Sequence, residues 1–298
     1  MRPARLVTVS FAAAGIAAAA LACCAPPATA APAARTGPAA RRAGGPAALT
    51  ARGADLVNAA AGQSLWSRGL NAERPMASIT KVMTALVVLR AGGLGREITI
   101  TPADVSYVRR RDGSSAGLRA GDVLTARQLL EGLLLPSGCD AALALARAYG
   151  PGWPAFVAKM NATARALGMG RTHFANFDGL PWPTEDTTYS TPRDLITLGL
   201  AAMRRPVFRA IVAQRTHYLP ATAEHQAYFW TNTNWLLGAY PGAFGIKTGF
   251  TLGAGYSLLF GARRDGHTLI GVVLDTSTTN PAASFAAAAR LLNWGFRA

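Results

Sequence analysis

The stretch Ser78-Ile79-Thr80-Lys81-Val82-Met83-Thr84-Ala85-Leu86-Val87-Val88-Leu89 decides how this chain is read. Pro75 stops the preceding segment, and Val82, Leu86 and Leu89 then recur at helical spacing, which predicts a helix opening at Ser78. Residues three apart on a helix are neighbours, so one turn brings the Lys81 amine beside the Ser78 hydroxyl. Lysine is scarce elsewhere: of 30 basic residues only Lys81, Lys159 and Lys247 are lysine, and 27 are arginine. Only an amine can lose its proton at accessible pH, because a guanidinium stays charged. An amine kept one turn from a serine, in a chain that otherwise writes its cations as Arg, has the form of a nucleophile and its base.

Working outward, residues 129–135 predict an apolar helix ended by Pro136, and Ser137-Gly138-Cys139 then makes a tight loop. Asp140 starts the next helix, and residues 153–167 and 192–203 suit further helices. On the N-terminal side, residues 54–58 and 63–67 predict a hairpin. The C-terminal third changes character: 242–250, 256–264 and 267–274 read as consecutive strands, with Arg264-Asp265-Gly266 as a hairpin turn. The first of these strands carries Lys247-Thr248-Gly249, and a helix over 281–296 closes the chain. The expected class is α/β, an antiparallel sheet flanked by helices plus a mainly helical subdomain between the first and last motifs.

The ends narrow the setting. Arg2 and Arg5 precede an apolar, Ala-rich run over 6–22, and Ala28-Thr29-Ala30 follows as a small-x-small cleavage site. Residues 1–30 therefore read as an export leader that is cleaved, the alternative being a lipid on Cys23. Cys23 and Cys24 leave with it, so Cys139 remains without a partner for a disulfide. Residues 31–48, rich in Ala, Pro, Gly and Arg, read as a disordered linker, and 49–298 as one domain with no C-terminal β-domain or anchor. A mature form outside the cytoplasmic membrane, without a stable anchor and monomeric, is the expectation. The formal net charge of +15 suits a solvated Arg-rich surface or attraction to anionic wall polymers. Nucleic acid is set aside, since no recognition module accompanies the charge. His173, His217, His225 and His267 are scattered without metal spacing and read as structural, and neither a metal nor a cofactor is expected. Lys159 reads as a solvated surface cation.

The ordered set S-x-x-K, S-G-x and K-T-G resembles the serine penicillin-binding enzymes. From Asp55 to Phe296 the chain resembles the D-alanyl-D-alanine carboxypeptidases and transpeptidases, the low-molecular-weight penicillin-binding proteins. Leu133-Leu-Leu-Pro-Ser-Gly-Cys-Asp-Ala-Ala142, Thr172-His-Phe-Ala-Asn-Phe-Asp-Gly-Leu180, Tyr189-Ser-Thr-Pro-Arg-Asp194 and Gly245-Ile-Lys-Thr-Gly-Phe-Thr-Leu-Gly-Ala-Gly255 carry the likeness beyond the triplet. The resemblance implies acyl transfer from peptidoglycan stem peptides ending in D-Ala-D-Ala, and acylation by β-lactam antibiotics. Ser78 would be the nucleophile and Lys81 the base, with Ser137 relaying a proton to the leaving D-Ala. Lys247 and Thr248 would meet the terminal carboxylate, Gly249 would let the strand approach, and the N–H groups of Ser78 and Phe250 would hold the oxyanion. Lys81 can serve as base only with its proton affinity lowered, by burial and by the Lys247 cation.

Two departures stand out. Relatives usually have Asn where this chain has Cys139, and a thiol is too weak a donor and acceptor to replace an amide. Ser-Gly-Cys resembles the secreted DD-transpeptidase branch of actinomycetes, leaving Cys139 either a packed residue or one that tunes substrate binding. Many relatives also hold the carboxylate with an Arg after the last strand, where this chain has Asp275-Thr-Ser-Thr-Thr-Asn-Pro. One rival reading is a β-lactamase-like hydrolase, for which Glu185 is the acidic candidate to activate water. Another is an inactive peptidoglycan-binding module.

Overall fold

The computed structural model describes residues 45–298; the leader and the first part of the linker lie outside them. β1 (Gly53–Asn58) and β2 (Gln63–Arg68) form the predicted hairpin, and the two-residue β3 (Arg74–Pro75) leads to a 3-10 turn, Ala77–Thr80, that runs into α1 (Lys81–Ala91). β4 (Glu97–Thr99), α2 (Pro102–Arg111), β5 (Val123–Thr125), α3 (Ala126–Leu134), α4 (Cys139–Tyr149) and α5 (Trp153–Ala166) follow. After β6 (Tyr189–Ser190) come α6 (Pro192–Met203), α7 (Pro206–Val212) and a ribbon of β7 (Thr216–Leu219) and β8 (Tyr228–Thr231). β9 (Ala243–Gly249), β10 (Ser257–Arg264), β11 (His267–Leu274) and α8 (Ala282–Gly295) complete the chain.

Among the described residues the main sheet has five antiparallel strands in the order β2-β1-β11-β10-β9. Its central strands are apolar on both faces, which is why they read as near-continuous hydrophobic runs. Alternation still sorts them. Leu258, Phe260, Leu269 and Val273 join Leu291 and Leu292 of α8, while Leu259, Ile270 and Val272 join Leu195 and Leu198 of α6. The sheet thus lies between α8 and α6, with α7 also packed on β9, and α1, α3, α4 and α5 gather in the helical block.

α1 departs from the predicted one-sided pattern. Every residue from Lys81 to Leu89 is buried, because α3, α4, α5 and α6 surround it. A helix covered on all sides needs no polar face, and it fixes its first turn in the middle of the molecule. Thr101 with Asp104 and Thr125 with Gln128 form reciprocal capping boxes that set where α2 and α3 begin. The end of the expected linker is packed rather than free. Pro46 is buried, Arg290 Nη1 donates to the Ala48 carbonyl at 2.5 Å, and Arg68 Nη1 donates to Leu49 at 2.6 Å. Composition missed this because the contacts come from β2 and α8, remote in sequence.

Candidate active site

Ser78 sits in the 3-10 turn rather than at an α-helical N-terminus; Lys81 is the first α-helical residue. The spacing argument holds all the same, since a 3-10 turn also returns after three residues. Lys81 Nζ donates to Ser78 Oγ at 2.8 Å and to the Asp178 carbonyl at 3.1 Å, and its side chain is fully buried. Two glycines let other segments press on this turn. A methyl on Gly179, whose φ is +81°, would fall on the Ala77 carbonyl, and one on Gly249 would lie 2.8 Å from the Met76 carbonyl oxygen.

Ser137 occupies the left-handed region with φ +68°, and its buried Oγ finds no hydrogen-bond partner among the described residues. It is not a helix cap, because Gly138 takes that position in α4. A buried hydroxyl left without a partner is costly, as is a side chain at positive φ. The loop is held by its neighbours. Ser114 Oγ donates to the Ser137 carbonyl at 2.5 Å, and the Asp140 carboxylate accepts from Ser115 Oγ (2.7 Å), Ala116 N (2.9 Å) and Leu118 N (3.2 Å).

On β9, Lys247 is 1 % exposed, and its Nζ donates to the Thr248 carbonyl at 3.1 Å. Burial pushes this amine well below the usual lysine range, and the Lys81 cation pushes it further the same way. Thr248 Oγ1 lies 2.6 Å from Thr233 Oγ1, and the Phe250 ring stacks on Tyr256 with centroids 4.1 Å apart.

Cys139 lies behind this front. It is fully buried, 3.8 Å from Ser114 Oγ, and does not line the cleft, so a direct contact with substrate is not where the fold puts it. Burial pushes its thiol up to about 11. Next to it runs a polar network that motif reading did not reach: Tyr107 OH donates to Asp178 Oδ2 at 2.8 Å, and Trp182 Nε1 donates to Tyr107 OH at 2.8 Å. Asp178 is fully enclosed, and burial raises its carboxyl while the Lys81 cation opposes the rise. Its segment was visible in the sequence, but nothing local marked it as the neighbour of Lys81.

Ser78, Ser114, Ser137, Thr233, Thr248, Gly249 and Phe250 face one cleft of about 380 Å³. Lys81 and Lys247 lie beneath them. Trp235, stacked on Phe285 with centroids 5.1 Å apart, forms an aromatic wall that sequence reasoning missed. Glu185 accepts from the Thr251 hydroxyl and from Gly253 N at 3.1 Å, clasping the loop after β9. The hydroxyl-rich segment after β11 is used internally: Asp275 pairs with Arg52 (3.5 Å) and Arg74 (3.7 Å), and Thr276 Oγ1 donates to Tyr256 O at 2.7 Å. Among the described residues no group of side chains is suited to hold a metal ion.

Comparison with known proteins places the chain in a family. The family model described as D-alanyl-D-alanine carboxypeptidase matches residues 40–278. A D-alanyl-D-alanine carboxypeptidase of Streptomyces sp. strain K15 is 40 % identical over 260 residues, covering 83 % of this chain and 88 % of that one. The D-alanyl-D-alanine carboxypeptidase DacB2 of Mycobacterium tuberculosis is 38 % identical over 240 residues, covering 79 % and 78 %. The crystal structure of the Streptomyces K15 DD-transpeptidase superimposes with a TM-score of 0.79 at 40 % identity, covering 84 % of this chain and 98 % of that one. With motifs, fold and relatives in agreement, the chain belongs to the D-alanyl-D-alanine carboxypeptidase family of serine enzymes.

Proposed function

We propose that this chain is a serine acyltransferase acting on peptidoglycan stem peptides that end in D-Ala-D-Ala, through an acyl-enzyme on Ser78, and that β-lactams acylate the same serine. The observation that carries the reading is the 2.8 Å contact between Ser78 Oγ and Lys81 Nζ at the floor of the cleft. Lys81 takes the Ser78 proton as Oγ attacks the penultimate D-Ala carbonyl. The resulting oxyanion is held by the N–H groups of Ser78 and Phe250. As the C–N bond breaks, the proton passes through Ser137 Oγ to the departing D-Ala amine. The partnerless state of that hydroxyl supports this role, since substrate would supply its missing partner. Water or an amine then takes the acyl group, giving a trimmed stem or a cross-link.

Burial and the neighbouring Lys81 amine both disfavour a charged Lys247, so the two amines do not cheaply carry two charges at once. Cys139 acts from behind, as a small neutral group packed against the Lys81 site. The β-lactamase rival's candidate base, Glu185, accepts from the loop that follows β9 and is not among the residues that line the cleft. The penicilloyl adduct should therefore persist. Export follows from the leader; among the described residues no helix is long and apolar enough to cross a membrane.

The test is Ser78→Ala. Labelling by fluorescent penicillin and release of D-Ala from a D-Ala-D-Ala peptide should both vanish, a loss on the order of several kcal/mol of barrier stabilisation. Labelling that persists on another serine would refute the assignment. Rapid turnover of nitrocefin by the intact chain would move it to the hydrolase reading.

A further inference from the structure

We infer that Thr233, paired with Thr248, forms a two-hydroxyl clamp for the substrate's C-terminal carboxylate, so that this chain grips that carboxylate without a guanidinium. The inference rests on the acyl-transfer reading above and adds a residue to it. Among the described residues that line the cleft there is no Arg, Lys or His, and the one acidic side chain is Asp112. A carboxylate entering here needs hydrogen-bond donors that the cleft surface does not supply as cations.

The hydroxyls can be sorted by what already occupies them. Ser78 is engaged with Lys81, and Ser114 with the Ser137 carbonyl. Ser257 Oγ donates to Ala254 O at 3.2 Å and accepts from Asp275 N at 3.1 Å, and Ser284 Oγ reaches Pro281 O at 3.5 Å. Ser137 is spoken for by the leaving amine. Among the serine and threonine hydroxyls that leaves Thr233 and Thr248, with their Oγ1 atoms 2.6 Å apart and both side chains partly open to the cleft. That separation is close to the spacing between the two oxygens of a carboxylate. Rotating both O–H bonds outward gives up one hydroxyl–hydroxyl bond and gains two charge-assisted ones, which are roughly twice as strong each. Lys247 Nζ stands 3.4 Å behind Thr248 Oγ1 and backs the pair with a donor.

Thr233 is also rigidly placed. Its N–H donates to the Leu135 carbonyl at 3.1 Å, two residues before Ser137, so clamp and relay hang on one segment. Asn232 on one side donates to Val212 O at 3.1 Å and Gln214 O at 2.9 Å, and it accepts from Asn234 N at 3.0 Å. A hydroxyl mounted this way loses little freedom when substrate binds.

The test compares a peptide ending in D-Ala-D-Ala as the free acid with the same peptide as its terminal carboxamide. Thr233→Val keeps the shape and removes the hydroxyl; Thr233→Ser keeps the hydroxyl. With the free acid, Thr233→Val should lose about tenfold in kcat/KM, mainly through KM, while Thr233→Ser stays within about threefold of wild type. With the carboxamide, Thr233→Val should fall less than about twofold, because no carboxylate is present to miss the donor. Equal losses on both peptides, or no loss on the free acid, would overturn the clamp while leaving Ser78 chemistry intact. A wild-type chain that releases no D-Ala at all would overturn the acyl-transfer reading and the clamp with it.

Discussion

Replacing Gly249 by alanine puts a single methyl between the binding strand and the catalytic turn. At that position Cβ would lie 2.8 Å from the Met76 carbonyl oxygen, 3.3 Å from Ala77 Cβ and 3.3 Å from Ile79 Cγ1. Relieving the first contact requires β9 and the turn to part by roughly half an ångström or more. Neither side yields easily. Gly249 is registered against Ser257 in the sheet, and the Met76 carbonyl holds Ile79 N at 3.2 Å. Overpacking of this kind costs about 1–3 kcal/mol, or about 2–4 °C in melting temperature per kcal/mol for a domain this large. Reactivity should suffer more than stability. A misplacement of about 1 Å costs on the order of a hundredfold, so half that predicts a loss of about tenfold in penicillin acylation. Stopped-flow acylation with a fluorescent penicillin, paired with a thermal melt, measures both. A variant that acylates at the wild-type rate would show that reactivity does not depend on the close approach of β9 to the Ser78 turn.

Lys247→Met should raise the melting temperature at neutral pH while slowing acylation. Burial lowers the proton affinity of the folded lysine, so below about 10.4 the unfolded chain binds more protons, and native stability climbs with pH across that window. The variant's advantage, about 1–4 kcal/mol at neutral pH, should therefore shrink as pH approaches 10.4; an advantage constant from pH 7 to 10 would contradict the lowered proton affinity. Cys139, buried and with its thiol held up near 11, should resist iodoacetamide at pH 8 by on the order of a hundredfold relative to the unfolded chain. Mass spectrometry of the timed reaction decides it, and rapid native labelling would place the thiol at an open surface instead.

The hairpin of β1 and β2, the three strands after residue 242 and the closing helix were legible because local signals agreed: turn residues at 264–266, apolar runs, and flanking Gly and Pro. Serine, lysine and their spacing were legible for the same reason, since one turn of chain is local geometry. The start of α1 was not, because nothing in Ser78-Ile-Thr-Lys separates a 3-10 turn from an α-helical one. Its all-round burial came from four surrounding helices rather than from its own pattern. Thr233 and Asp178 were missed on similar grounds. Each stands beside a motif lysine or its neighbour only after segments distant in sequence are folded together. Cys139 shows the limit of motif transfer: analogy left it either packed or tuning substrate binding, and packing against Ser114 and the Lys81 site turns it inward.

The shortage of lysine gives this chain a practical asymmetry. Two of its three side-chain amines are sealed in the site, and Lys159 on α5, which contributes nothing to the cleft, is exposed. Amine-directed coupling of the folded chain, by active ester or to an activated bead, then has a single side-chain target besides the α-amine. Molecules held through Lys159 would share one orientation, attached at a residue that does not line the cleft, and blocking the α-amine first would make that orientation the whole population in a surface-based binding assay.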